Sequence, residues 1–171
     1  GAILCRVAKS HIRVGTFQYF HARKDYKSLK IIADYTIKKL YPEIYESKDK
    51  YLKFFIKVVE QQVKLVCKWM EVGFIHGVMN TDNTSLSCET IDYGPCAFMD
   101  VYNKDKVFSS IDVKGRYSYS NQPKMIMWNM ACLASTVLNL LDGKDEDNLN
   151  KLQDVLSSIP YSYKESWVNA F

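Results

Sequence analysis

Apolar residues recur at three- and four-residue spacing along much of the chain. Leu29, Ile32, Ala33, Thr36, Ile37 and Leu40 mark one face of a helix that begins near Tyr26, with Asp25 placed to cap it and Pro42 to end it. Leu52, Phe55, Ile56, Val59, Val63, Val66, Cys67 and Met70 form the stripe of a second helix over about residues 50–72. Lys53, Lys57, Glu60, Lys64, Lys68 and Glu71 lie mostly opposite, and Gly73 is placed to stop it. A third helix begins near Pro123, capped by Ser120 or Asn121. From 125 to 141 it is apolar on nearly every side, which predicts a buried central helix with residues 125–130 in the core. After the turn at Asp142-Gly-Lys, a fourth helix carries Leu149, Leu152, Val155, Leu156 and Ile159 on one face, followed by an aromatic tail over 161–171. Residues 3–8 have the alternating, β-branched character of a short strand. Residues 14–20 read as a second extended piece or the lead into a helix. Between 74 and 119 helical periodicity disappears, and a long irregular stretch of that kind is usually functional.

The 171 residues are 47% apolar, 13% aromatic and 25% charged, which excludes a disordered tail, a collagen-like repeat and a mini-protein held only by cross-links. The length predicts one domain over 1–171. A net charge of +4 among many acids is a weak field, pointing to neither nucleic acid nor a membrane surface as partner. No run approaches the ~18 apolar residues of a membrane span. Cys5, Cys67, Cys88, Cys96 and Cys132 are odd in number and lack CxxC spacing. They read as reduced thiols of an intracellular chain, not as a disulfide framework or a zinc knuckle.

The candidate chemistry lies in the irregular stretch. Gly73-Phe-Ile-His-Gly-Val-Met-Asn-Thr-Asp-Asn83 follows the long helix directly, and Asp92-Tyr-Gly-Pro95 begins nine residues after Asn83. The segment between, residues 84–91, is expected to form a short hairpin. Partners across such a hairpin sit roughly 4.5–5.5 Å apart at Cα, so Asn83 and Asp92 would aim two oxygens at one cation. Magnesium takes oxygen ligands at about 2.1 Å and retains waters or phosphate oxygens. The order of a helix, a loop with His76 and Asn83 seven residues apart, a hairpin, and Asp92-Tyr-Gly94 is that of the lower lobe of a protein kinase, with its His-Arg-Asp-x-x-x-x-Asn and Asp-Phe-Gly motifs. The base position of that pattern, two residues after His76, is Val78, and Asp82 is the only carboxylate in the loop. His76 is expected to bond loop backbone from a buried position, and Arg116 to pin its loop by pairing with a carboxylate.

These motifs, with Phe98-Met-Asp100, Gly115-Arg-Tyr117, Asn121-Gln-Pro123 and the opening Gly1-Ala-Ile-Leu-Cys-Arg-Val-Ala-Lys-Ser-His-Ile-Arg-Val-Gly-Thr-Phe17, resemble the SelO (selenoprotein O, YdiU) pseudokinases as far as about residue 134. The resemblance implies an α+β, predominantly helical fold: a protein-kinase-like C-lobe with short β-hairpins, its N-lobe absent. It implies a protein adenylyltransferase that transfers AMP from ATP, bound in a flipped orientation, to Ser, Thr or Tyr hydroxyls of proteins, with Mg2+ or Mn2+. Carried over by motif position, Asp82 is the catalytic carboxylate, Asn83 and Asp92 hold the metal, and Arg6 and Arg13 contact the nucleotide phosphates. Arginine suits that task because its planar fork binds phosphate oxygens bidentately. The family's glycine-rich loop, strand lysine and helix glutamate have no counterpart here. The chain is therefore expected to be a fragment, inactive alone, that binds ATP weakly and self-associates through the uncovered surface. The resemblance implies a mitochondrial protein if eukaryotic and a cytoplasmic one if bacterial. Two other functions fit the same residues: a non-catalytic nucleotide-binding pseudokinase or scaffold, and an atypical protein kinase, against which Val78 counts.

Overall fold

Buried apolar stripes decide which segments become helices. In the structure, a computed structural model describing residues 1–3 and 5–168, these are α1 (Val14–Ala22), α2 (Tyr26–Leu40), α3 (Lys50–Glu71), α4 (Gln122–Val137) and α5 (Asp145–Val168). One antiparallel pair of strands, β1 (Phe74–Ile75) and β2 (Ala97–Phe98), makes the fold α+β and mostly helical. Among the described residues no helix is long and apolar enough to cross a membrane.

The long helices follow their patterns. The Asp25 carboxylate accepts from Ser28 N at 3.0 Å and caps α2, which ends just before Pro42. The stripe of α3 is centred on Phe54, Phe55 and Val58, with Leu52 and Ile56 half-buried at its edges. It packs against α4 and α5. Gly73 ends α3 in the left-handed conformation (φ +68°), which costs a residue with a Cβ about 1 kcal/mol. Residues 14–20 resolve to helix: Arg13 N donates to Thr16 Oγ1, and Val14 and Phe17 are fully buried, the Phe17 ring lying 5.9 Å from that of Phe54.

Three expectations are corrected. Residues 3–8 form no strand: Ile3 and Val7 are exposed, and no described segment offers them a ladder (Leu4 lies outside the described residues). Helix α4 is less enclosed than its composition suggests. Met125, Ile126, Met130 and Leu133 are core, but Met127 and Trp128 face solvent. Asn121 sits at the N-cap position, but its amide donates to Arg116 O and does not cap the helix. The aromatic tail is helical through Val168, with residues 169–171 outside the described part. Pro160 removes one backbone donor from α5. Ile159, Tyr163 and Trp167 nevertheless pack on the core, and Cys67 Sγ donates to Tyr163 O, so tertiary contact holds the helix across the proline.

Candidate functional site

The segment between Asn83 and Asp92 does not pair with itself. Residues 84–86 lie against 12–14 instead: Val14 N donates to Thr84 O (3.0 Å), Leu86 N donates to Ile12 O (2.9 Å), and Ser85 bridges Arg13. Cys88 and Asp92 both take left-handed backbone (φ 55°), which interrupts the extended run a hairpin needs. The chain reversal is closed further out, where Phe74 pairs with Phe98 and Ile75 with Ala97.

His76 ties the two loops together, as its expected structural role requires. The ring is buried; Nδ1 accepts from Val78 N at 3.4 Å, so the proton sits on Nε2, which donates to Ile91 O at 2.7 Å. From the other side, Gln122 Oε1 accepts from His76 N (3.0 Å), and Gln122 Nε2 donates to Phe74 O (2.9 Å). Trp69 Nε1 donates to Thr90 Oγ1 (2.9 Å), and Gly77, at φ +85°, lets Pro95 approach to within 3.0 Å of where a Cβ would stand.

Burial pushes the His76 imidazole below its ordinary 6.5, against the opposing pull of the Ile91 carbonyl. The folded chain therefore refuses a proton that the unfolded chain accepts. The neutral ring contributes its full stability above about pH 6.5 and loses it as pH falls through the window down to the depressed value. Melting temperature is expected to drop more steeply from about pH 7 to pH 5 in the parent than in His76→Gln, which thermal melts across that range will measure.

Arg6, Arg13, Val78, Asn83, Asp92 and Tyr93 line one open cavity of about 780 Å³. Arg13 Nη2 donates to Asp92 Oδ2 at 2.9 Å and to Oδ1 at 3.1 Å. Both side chains are about a third exposed (34% and 36%), so the pair contributes at most about 1 kcal/mol to folding. Arg13 Nε is buried and has no hydrogen-bond partner among the described residues. Such a donor calls for an acceptor. The Arg6 guanidinium lies 4.3 Å from the Tyr93 ring centroid. Asn83 Nδ2 donates to Val78 O at 2.9 Å, which fixes the amide and leaves Oδ1 as its acceptor. Four of the five sequence-predicted residues thus share a cavity. The fifth, Asp82, is exposed in the 3-10 turn Thr81–Asn83, beside that lining, with its carboxylate against Gly15 of α1.

The sequence motifs containing Gln122 and Tyr93 assign neither a role, yet the buried Gln122 amide holds the His76 loop. Its one sequence signal is a polar residue at the head of an apolar helix. Among the described residues Arg116 pairs with no carboxylate: its guanidinium lies over Trp128 (5.0 Å), while Asp112 pins the loop by accepting from the backbone N–H groups of Arg116 and Tyr117. All five cysteines are free. Burial pushes the Cys88 thiol up to about 12 and that of Cys67 to about 11, so neither is a thiolate nucleophile.

The family model described as protein adenylyltransferase SelO matches residues 1–171. The chain belongs to the SelO family. It is 53% identical over 167 residues to a protein nucleotidyltransferase YdiU of Bacillus mycoides (strain KBAB4) and 54% identical over 167 residues to one of Bacillus cereus (strain G9842). Against the protein nucleotidyltransferase YdiU of Cereibacter sphaeroides (strain ATCC 17029 / ATH 2.4.9) it is 53% identical over 168 residues. Each match covers 98% of this chain and 34% or 35% of the relative, so the chain spans about a third of the length of these curated SelO relatives. All three relatives are named protein nucleotidyltransferases.

Proposed function

We infer that these residues form part of the active site of a protein adenylyltransferase, within the C-lobe of a kinase-like fold. The observation that carries this reading is the convergence of Arg13, with its unpartnered buried Nε, on the same cavity as Asn83 and Asp92. Arginines beside a carboxamide–carboxylate pair suit a nucleoside triphosphate and its cation. The donor set fits Mg2+ or Mn2+: Asn83 Oδ1 and the Asp92 carboxylate are hard oxygen ligands, and such a metal completes its shell with water and phosphate oxygens. No group of three His, Cys, Asp or Glu side chains is assembled among the described residues, so the pair would be the protein's share of that shell. A divalent ion held there would offset the triphosphate charge.

This chain's own residues supply the rest. Arg13 exchanges Asp92 for phosphate oxygens, and Arg6, resting on Tyr93, contacts the same anion. In the transfer, an acceptor hydroxyl oxygen bonds to the α-phosphorus, the bond from that phosphorus to the β-bridging oxygen breaks, and pyrophosphate leaves. The hydroxyl proton passes to the Asp82 carboxylate, which is exposed and so open to a protein side chain. Val78 lines the cavity where a kinase places its base, which weighs against an atypical kinase. The 171 residues alone are inactive in this reading, because positioning and charge neutralisation need both walls of the cleft.

The test is label transfer by the full-length protein. Label from α-phosphate-labelled ATP is expected on protein acceptors, and none from γ-phosphate-labelled ATP. The reversed pattern would establish a kinase, and nucleotide binding without either transfer a non-catalytic pseudokinase.

A further inference from the structure

Gly15 is the second residue of α1, and its φ lies outside the left-handed region. No turn or backbone constraint accounts for a glycine where alanine would favour the helix. Space accounts for it. A Cβ built on Gly15 collides with Oδ1 of Asp82, with the Asp82 carboxyl carbon at 3.0 Å and its Cα at 3.4 Å. The Asp82 carboxylate therefore lies directly on the bare first turn of α1. That helix has no acidic residue of its own in its first turn. Its positive end favours a carboxylate, which here comes from the turn Thr81–Asn83 packed against it. The turn that carries Asp82 is anchored separately: Asn80 Oδ1 accepts from Asn83 N, Thr84 Oγ1 donates to Asn80 O, and Val14 N donates to Thr84 O.

We propose that Gly15 is a positioning residue: its missing side chain sets where the Asp82 carboxylate sits beside the cavity. The proposal rests on Asp82 being the proton acceptor. An alanine at this position meets mainly the far end of a side chain, which can rotate, while the Asp82 backbone stands at an ordinary contact distance. The substitution displaces the carboxylate and leaves the fold in place.

In the full-length protein, Gly15→Ala is expected to lower kcat for AMP transfer at least about tenfold, with KM for ATP held within about twofold. Its melting temperature is expected not to fall. Asp82→Asn sets the floor, and adding Gly15→Ala to it is expected to lower the residual rate no further, because the two changes remove one function. Full kcat in Gly15→Ala beside an inactive Asp82→Asn overturns the positioning role and leaves Asp82 as proton acceptor. An active Asp82→Asn overturns that assignment, and the positioning role with it. A Gly15→Ala effect that persists undiminished in the Asp82→Asn background places the defect in α1 itself and likewise overturns the proposal.

Discussion

Asp92→Asn in the full-length protein is expected to lower AMP transfer by about 10²–10³-fold, the usual loss when one charged group is removed from a preorganised site. Asparagine is the informative substitution. Asp92 sits at φ 55°, a conformation asparagine adopts more readily than alanine, so the variant keeps the turn while losing the charge. It also keeps one oxygen donor, which separates loss of charge from loss of a ligand. Stability should barely change, because the ion pair with Arg13 is partly exposed and contributes at most about 1 kcal/mol. Steady-state transfer from α-phosphate-labelled ATP, beside a thermal melt, decides the matter. Unchanged transfer in a folded variant would remove Asp92 from the chemistry.

The second large effect concerns stability. Gln122→Leu is expected to destabilise the fold by about 2–5 kcal/mol, because two buried backbone groups lose their partners at once. Gln122 is fully buried, and its amide serves His76 N and Phe74 O together. Leucine has nearly the same volume, so the loss is of hydrogen bonds and not of packing. The neighbouring Asn121 gives the contrast: its amide donates to Arg116 O at the surface, so Asn121→Ala should cost at most about 1 kcal/mol. Denaturant unfolding of the two variants measures the difference.

The helices were legible because burial imposes a period that the sequence must carry. Asp25 and Gly73 marked their ends for the same reason: each answers a local backbone need. The strand expected at residues 3–8 was not legible as irregular chain, since β-branched composition reports preference and not the presence of a partner. The expected hairpin failed on Cys88 and Asp92, whose left-handed backbone no glycine announces. Tertiary pairing with residues 12–14 took its place. Even so, Asn83 and Asp92, placed by motif spacing, and Arg6 and Arg13, placed by the family resemblance alone, line one cavity; His76 holds the loops of the first two together. The role of Gly15 was invisible in sequence, since the carboxylate a side chain there would displace lies 67 residues away in Asp82.

Arg13 and Asp92 are separated by 79 residues, and His76 meets Gln122 across another 46. Helices α2 and α3 close their hydrogen bonds within their own segments, but the cavity needs contacts of long sequence separation, whose closure entropy is met only after collapse. On the ribosome, the arginines emerge first and the amide that braces their partners emerges last. A nascent chain cannot brace the cavity lining through His76 until the start of α4 has left the exit tunnel.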